Sequence, residues 1–256
     1  MARRGPEWKR GTRMSIEEAT GQSTSQTDLT RGIRKRAFQM VFQFLLLAAI
    51  LFLSSGRLDW WFAWAYLGIF VLGVCANSYV ILRTNPELIA ERARQFTPET
   101  RTWDRILATL WGVMSVIVML LVAGLDKRFG WSPQIPLAVQ LIAMLVYMFG
   151  SAFAGWALVS NAFFAGTVRV QAERGHAVVS TGPYRIVRHP GYAGWILSGL
   201  ATPLMLGSLW ALLPALVAEL ALVARTALED RTLREELPGY GEYAQRIRYR
   251  LVPGVW

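Results

Sequence analysis

Apolar residues along the chain fall into six runs separated by polar intervals. These runs cover residues 37–53, 60–82, 105–125, 137–160, 192–206 and 209–224. The longer runs match the roughly 20 residues that an α-helix needs to cross the hydrocarbon core of a bilayer. Because backbone polar groups inside a membrane must be satisfied within the segment itself, such runs predict spanning helices. We therefore expect an all-α, polytopic membrane helix bundle with about six transmembrane helices.

The spacing of the runs divides the chain into three parts. Residues 1–36 have the polar composition of a disordered basic N-terminal tail, and residues 37–160 hold four transmembrane helices. Residues 161–256 contain a polar segment, a helical hairpin and an amphipathic C-terminal segment. The hairpin is predicted because only Gly207 and Ser208 separate the last two apolar runs.

Charge placement predicts how the bundle is oriented. The net charge is +10, and 24 of the 27 Lys and Arg residues lie in the intervals on the N-terminal side of the predicted membrane. The positive-inside rule therefore places both termini and the polar segment after residue 160 in the cytoplasm. No basic stripe with interleaved aromatic residues is present, so we expect an integral membrane protein that does not bind nucleic acid.

The polar segment at residues 176–194, HAVVSTGPYRIVRHPGYAG, is the first candidate for chemistry. It holds both histidines of the chain, His176 and His189, within one interval rich in turn-forming Gly and Pro. The Pro190-Gly191 break predicts that His189 lies at the start of the fifth helix, at the membrane surface. One cysteine and two histidines are too few for an ordinary zinc site, so no metal is expected.

The last apolar run supplies a second cluster. Arg225 and Glu229 are four residues apart, which places them on one face of a helix at the same membrane boundary as His189. Glu219 lies inside the apolar run, where a carboxyl group is either functional or paired within the bundle. The sequence leaves both roles of Glu219 open.

These motifs resemble a known family. The run TGPYRIVRHPGY, followed after the hairpin by Arg225, Glu229 and GYGEYAQRIRYRLVP, resembles the isoprenylcysteine carboxyl methyltransferase family and its bacterial relatives. The loop NPELIAERAR is similar to the bacterial branch, and the resemblance covers about residues 83–253. It implies a bacterial inner-membrane enzyme whose residues 161–256 form a methyltransferase core. S-adenosyl-L-methionine would lie between the hairpin and the cytoplasmic segments.

The resemblance also assigns roles to single residues. Arg225 would orient the substrate. Independently of the resemblance, an amine acceptor would have to lose a proton, for which Glu219 or a water would serve as the base. Gln171 is the candidate for a family glutamine upstream of the first histidine. The remaining implied cofactor contacts are His176, Ala177, Val178, Val179, Tyr184, His189, Pro190, Gly191, Tyr192 and Glu229.

The expected reaction is transfer of a methyl group to a lipophilic or lipidated acceptor in contact with membrane lipids. A carboxylate acceptor, as in isoprenylcysteine, needs no general base because it is already a nucleophile at neutral pH. N-methylation of a phospholipid or another amine stays open, since that family shares the GPY and RHPxY signature. An NADPH-dependent enzyme like the sterol reductases and a non-enzymatic membrane binding protein are the alternatives of other classes. The acceptor and the oligomeric state stay open.

Overall fold

The computed structural model describes Thr30 and residues 33–35, 37–84 and 100–256. Most of the predicted basic tail at residues 1–36 lies outside these described residues. The loop at residues 85–94 that carries the resemblance to the bacterial branch also lies outside them.

Seven α-helices and two short 3₁₀ turns make up the regular structure of the described residues. The helices are α1 (Ile33–Ser55), α2 (Trp61–Thr84), α3 (Thr102–Phe129), α4 (Leu137–Ser160), α5 (Pro190–Leu206), α6 (Leu212–Glu236) and α7 (Tyr240–Arg246). The 3₁₀ turns are Ala172–Arg174 and Gly182–Arg185, and α3 contains a π-helical stretch at Val113–Val118. The predicted all-α fold is therefore confirmed.

Helices α1 to α4 are each long and apolar enough to cross a membrane, which agrees with a polytopic membrane protein. Helix α5 has 17 residues and is about 25 Å long, somewhat shorter than the hydrocarbon core. Helix α6 has 25 residues, but its polar part begins at Arg225. The number of six crossings therefore stays a prediction.

Helix α6 differs from its predicted bounds. The apolar run predicts an end near residue 224, but the helix continues to Glu236. The extension is rich in Ala, Leu, Arg and Glu, which favour helix, and it stops just before Pro238. The end of the apolar run and the end of the helix are thus different positions, and Glu229 lies on the helical extension.

Helices α4 and α5 pack closely through small residues. A Cβ atom added to Gly194 would lie 2.5 Å from the carbonyl oxygen of Gly150 and 2.6 Å from the backbone nitrogen of Ala154. A Cβ atom added to Gly150 would lie 2.6 Å from Oγ of Ser198. Such contacts let two backbones approach, as is common between membrane helices. They hold the N-terminal half of α5 against the C-terminal half of α4.

A buried carboxylate fixes the opposite end of the hairpin. Asp126 near the end of α3 accepts hydrogen bonds from the backbone N–H and hydroxyl of Ser132, at 2.7 Å and 2.5 Å. The hydroxyl of Ser208 in the hairpin turn also donates to Asp126. Gly207 precedes it in the left-handed conformation that ends α5. The hairpin is therefore held at both ends.

We predict that Gly194→Ala destabilises the protein. The added methyl group would meet backbone atoms of α4, which cannot rotate away, so overpacking should lower the free energy of unfolding by about 1–3 kcal/mol. Gly112→Ala is the matched control, because a Cβ atom there has no neighbour within 4 Å in a helical backbone. Thermal unfolding in detergent, followed by circular dichroism, measures both. Equal melting temperatures for Gly194→Ala and the wild type would contradict the close contact.

Candidate functional site

An open cleft of about 710 Å³ lies where α4 ends and α5 begins. Its walls come from the polar segment after α4, the first turn of α5, the outer part of α6, and α7. The predicted site residues that line it are His176, Ala177, Val178, Val179, Tyr184, His189, Tyr192 and Glu229. Residues from distant parts of the chain thus meet in one concave surface.

Several predicted cofactor residues lie behind the cleft wall instead of lining it. Gln171 is 1% exposed; its amide donates to the carbonyl oxygen of Phe163 at 2.7 Å and accepts from Arg174 at 2.5 Å. Through these hydrogen bonds, Gln171 holds the segment that follows α4 in place. Pro190 and Gly191 form the first turn of α5, where Gly191 leaves room for the Phe164 ring.

The histidines occupy different settings in the cleft. His189 is the residue that precedes α5, as predicted, and its ring stacks on Tyr192 with centroids 5.8 Å apart. His176 stacks on Phe163 at 4.5 Å, and its Nδ1 accepts a hydrogen bond from the backbone N–H of Gln171 at 3.2 Å. Both rings are therefore held in place by neighbouring aromatic groups.

Asp230, fully buried on α6, is the centre of the charged groups beneath the cleft. Arg188 binds its carboxylate with two nitrogens, at 2.6 Å and 3.1 Å. Its other partners are Tyr240 at 3.0 Å, Arg250 at 3.0 Å, Arg234 at 3.1 Å and His189 at 3.4 Å. One carboxylate therefore joins α6, the segment before α5, α7 and the C-terminal segment.

This network shifts the acidity of Asp230. Burial alone would raise the pKa of Asp230, but hydrogen bonds and charge from His189 and Arg188 outweigh it and hold the pKa well below its usual range. The carboxylate is therefore ionised. Burial and the same carboxylate raise the pKa of Tyr240 well above its ordinary value. The phenol therefore stays protonated and donates a hydrogen bond to Asp230.

Backbone pairing adds to the ion pairs. The N–H groups of Arg188 and His189 donate to the carbonyl oxygens of Tyr249 and Arg250, at 3.0 Å and 2.9 Å. The Arg188 side chain also donates to the carbonyl of Ile247 at 2.7 Å. The C-terminal segment therefore holds His189 at the floor of the cleft.

Arg225 is held by partners that its spacing from Glu229 does not predict. Its Nε donates to Asp104 on α3 at 2.7 Å, and its Nη2 donates to the carbonyl oxygen of Gly166 at 2.8 Å. Asp104 is fully buried. Glu229 instead accepts a hydrogen bond from the Tyr192 hydroxyl at 2.6 Å. Tyr192 connects the two residues, because the Arg225 guanidinium lies over its ring at 5.4 Å.

A second cavity, the bundle cavity, lies among the helices and has a volume of about 1450 Å³. Residues of α1 to α6 line it, and Glu219 is among them. The cleft and the bundle cavity share no lining residue. Glu219 therefore faces the membrane-embedded cavity and not the cleft that His189 and Glu229 line.

Four aromatic rings, here called the aromatic wall, separate the two spaces. Phe164 and Tyr192 line the cleft, whereas Trp195 and Trp111 line the bundle cavity. Trp195 contacts the other three, with ring centroids 5.6 Å from Phe164, 5.7 Å from Tyr192 and 5.2 Å from Trp111. Among the described residues, only these contacting side chains separate the cleft from the bundle cavity. Arg225 lies beside them, over the Tyr192 ring.

Sequence reasoning missed two groups of site residues. Asp104 and Arg188 were not predicted as ion-pair partners, because those pairings join positions far apart in the chain. Tyr240 and Tyr243 have the spacing of an amphipathic helix, a pattern that indicates packing residues and not ligands. They do pack, but both also line the cleft, and the Tyr243 hydroxyl donates to the carbonyl of Tyr184 at 2.7 Å.

Comparison with known proteins supports the resemblance seen in the sequence. The isoprenylcysteine carboxyl methyltransferase (ICMT) family matches residues 141–235. Protein-S-isoprenylcysteine O-methyltransferase B of Arabidopsis thaliana is 31% identical over 86 residues, 33% of this chain and 44% of that protein. A probable protein-S-isoprenylcysteine O-methyltransferase of Oryza sativa subsp. indica is 29% identical over 112 residues, 43% of this chain and 59% of that protein. The chain therefore spans about half the length of these curated relatives.

A solved structure shares the fold. The eukaryotic intramembrane Ras methyltransferase ICMT superposes with a TM-score of 0.50 over 84% of this chain and 74% of that chain, at 17% identity. At this identity the match shows the fold alone. It confirms the membrane helix architecture and covers more of the chain than the sequence matches do.

We predict that Asp230→Asn disrupts the floor of the cleft. The change removes the charge partner of Arg188, which is itself only 3% exposed. A buried charge left without its partner lowers the free energy of unfolding by about 3–5 kcal/mol. Thermal unfolding should show a clear loss of stability. Glu235→Gln is the control, since its pair with Arg231 is exposed and contributes little. Equal stability of both variants would contradict the central role of Asp230.

The depressed pKa of Asp230 also predicts a pH dependence. The folded protein holds the pKa below its unfolded value of about 3.9, so the stabilisation is fully present above that value. It is lost as the pH falls below about 4 toward the folded pKa, because the unfolded state then binds the proton first. The melting temperature of the wild type should fall more steeply with acid than that of Asp230→Asn. Parallel acid profiles would exclude this contribution.

Proposed function

We propose that this chain, whose residues 141–235 match the isoprenylcysteine carboxyl methyltransferase family, is an integral-membrane, S-adenosylmethionine-dependent methyltransferase. It transfers the methyl group to a carboxylate on a lipophilic acceptor, as in O-methylation of an isoprenylcysteine. The observation that carries this proposal is that only the contacting rings of the aromatic wall, one of which lies under the Arg225 guanidinium, separate the cleft from the bundle cavity. A water-soluble donor and a lipid-soluble acceptor would approach each other there.

The cleft residues fit S-adenosylmethionine by their chemistry. The cofactor supplies a methyl group on a positively charged sulfonium, together with an adenine ring and an amino acid portion. The Glu229 carboxylate offers negative charge, and the stacked pair of Phe163 and His176 offers an aromatic surface. The backbone of residues 176–179, which is outside any helix, offers polar groups along one wall. His176 to Val179, Tyr184, His189, Tyr192 and Glu229 would hold the cofactor.

Arg225 is prepared to orient a carboxylate. Its bonds to Asp104 and to the Gly166 carbonyl fix the plane of the guanidinium before any ligand binds. A guanidinium binds a carboxylate with defined geometry, so orientation is its contribution to the rate. A carboxylate acceptor is already ionised, so no side chain needs to remove a proton.

Tyr192 links the two halves of this site. Its hydroxyl holds Glu229 on the cleft side, and its ring lies under Arg225. A change in the position of one residue is therefore transmitted to the other. We infer that Tyr192 aligns the methyl group with the carboxylate and keeps bulk water from the space between them.

The location of Glu219 favours O-methylation over N-methylation. An amine acceptor would need to lose a proton near the methyl group, and Glu219 is the candidate base. Glu219 lies six residues before Arg225 on α6, about 9 Å along the helix axis, and on the bundle-cavity side of the aromatic wall. A carboxylate bound by Arg225 needs no such group.

We further infer that the cleft and both termini face the cytoplasm of a bacterial inner membrane. The strong excess of Lys and Arg on that side of the bundle supports this orientation. Cytoplasmic S-adenosylmethionine would then reach the cleft from water, while the acceptor would reach the bundle cavity from lipid.

We predict that two variants separate cofactor binding from acceptor alignment. Glu229→Gln removes the charge facing the cofactor and should weaken S-adenosylmethionine binding at least about tenfold. Arg225→Lys keeps the charge but not the fixed planar geometry, so cofactor binding should change less than about threefold. Its kcat/KM for S-farnesyl-N-acetylcysteine should fall about a hundredfold. Calorimetry measures binding, and transfer of a labelled methyl group measures activity.

Glu235→Gln is the control for both measurements, since this exposed residue lies on the same helix away from the cleft. Unchanged cofactor affinity in a folded Glu229→Gln variant would refute the cofactor site. NADPH binding with no response to S-adenosylmethionine would favour the reductase alternative instead. Methyl transfer to a phospholipid amine, with none to the cysteine carboxylate, would establish N-methylation.

A further inference from the structure

The lining of the bundle cavity includes polar groups that a purely hydrocarbon ligand could not hydrogen-bond. Its apolar lining, with residues such as Ile69, Phe70 and Met119, suits a lipid chain. The same lining includes Glu219 and Trp111. Polar atoms within a membrane bundle are costly unless they are paired, so their partners identify what the cavity holds.

Glu219 lines this cavity, and one of its carboxyl oxygens is buried without a protein partner among the described residues. The residue is 5% exposed, and its Oε2 atom has no hydrogen-bond partner among the residues that the structure describes. A Cβ atom added to Gly199 on α5 would lie 1.9 Å from Oε1. The missing side chain at Gly199, which also lines the cavity, lets the carboxyl group reach across the hairpin.

Trp111 presents a second unpaired group. Its Nε1 atom is buried and has no hydrogen-bond partner within the described part of the chain. Its ring stacks on Trp195. Helices α3 and α6 run antiparallel, with Asp104 paired to Arg225. Trp111 lies seven residues after Asp104, about 10 Å along α3, and Glu219 lies six residues before Arg225, about 9 Å along α6. The unpaired indole and carboxyl groups therefore lie at about the same height on these two helices.

The two groups call for a ligand with hydrogen-bonding capacity. An indole N–H only donates, and a carboxyl group accepts in either protonation state. A hydroxyl group satisfies both, because it accepts from the indole and donates to the carboxyl. An ammonium group cannot accept from Trp111, and a plain hydrocarbon chain leaves both groups unpaired.

We propose that the bundle cavity holds the body of the acceptor lipid and that this body carries a hydroxyl group bound between Glu219 and Trp111. The inference rests on the proposed function, because that function identifies the occupant as the methyl acceptor. It changes the expected substrate from a plain prenyl chain to an oxygenated one. Glu219 is then a substrate-binding residue and not a base.

The helix geometry also locates the hydroxyl on the ligand. Arg225 would hold the reacting carboxylate, and Glu219 lies about 9 Å from it along the axis of α6. The hydroxyl should therefore lie in the part of the lipid chain closest to the carboxylate end. A hydroxyl at the far end of a long chain would pass beyond Glu219.

The test uses S-farnesyl-N-acetylcysteine and three derivatives with one hydroxyl on the first, second or third isoprene unit. Binding of each to the full chain in lipid nanodiscs with S-adenosylmethionine present is measured by calorimetry, alongside methyl transfer. The wild type should bind the derivative hydroxylated on the first unit about tenfold more tightly than the plain compound. Glu219→Leu and Trp111→Phe should each reduce that preference to about twofold or less.

Thr202→Val is the matched control. Thr202 lines the same cavity, but its hydroxyl already donates to the carbonyl oxygen of Ser198 at 2.8 Å, so its loss should leave the preference unchanged. Trp111→Phe keeps an aromatic ring and removes only the indole N–H donor. This variant tests the inference even where Glu219→Leu fails to fold.

The outcomes separate this inference from the proposed function. Equal binding of all four compounds by the wild type, or a preference only for the third unit, would overturn the hydroxyl site. Methyl transfer to the plain compound in that case leaves the proposed function intact. A hydroxyl preference that both variants lose, without methyl transfer to any compound, supports the site and overturns carboxylate methylation.

Discussion

The fold of the cleft depends on the buried carboxylate of Asp230. At this end of the bundle, ion pairs act together with small apolar clusters to hold segments that are far apart in sequence. Asp230 joins Arg188 before α5, Tyr240 on α7 and Arg250 in the C-terminal segment. A buried ion pair is weak evidence of net stability, but each partner here fixes a chain segment. The position of His189 follows from these bonds.

Much of the fold could be predicted because the bilayer imposes a simple pattern. The predicted fourth helix has the observed bounds, Leu137–Ser160, since apolar length and helix length coincide there. They do not coincide in α6, which continues to Glu236 after leaving the apolar region. Hydropathy marks where a membrane ends, whereas helix ends depend on propensity and on Gly or Pro.

The candidate site was predictable in its residue types but not in its connections. A single sequence reveals the histidines and the helix spacing of Arg225 and Glu229. It cannot reveal that Arg225 pairs with Asp104, which lies 121 residues away. Similarly, Glu219 could have been paired within the bundle, and only the three-dimensional arrangement shows its carboxyl facing a cavity. Local patterns therefore identified the participants, and long-range contacts determined their roles.

The aromatic wall has a consequence for the order of events in the proposed reaction. Since the two spaces share no lining residue, donor and acceptor would load from different solvents without competing for a surface. Methylation turns an anion into a neutral ester, which loses its attraction to Arg225 and gains solubility in lipid. The demethylated donor loses its positive charge and with it the attraction of Glu229. Each product would thus be released toward the phase from which its precursor came, and the single transfer would weaken both complexes at once.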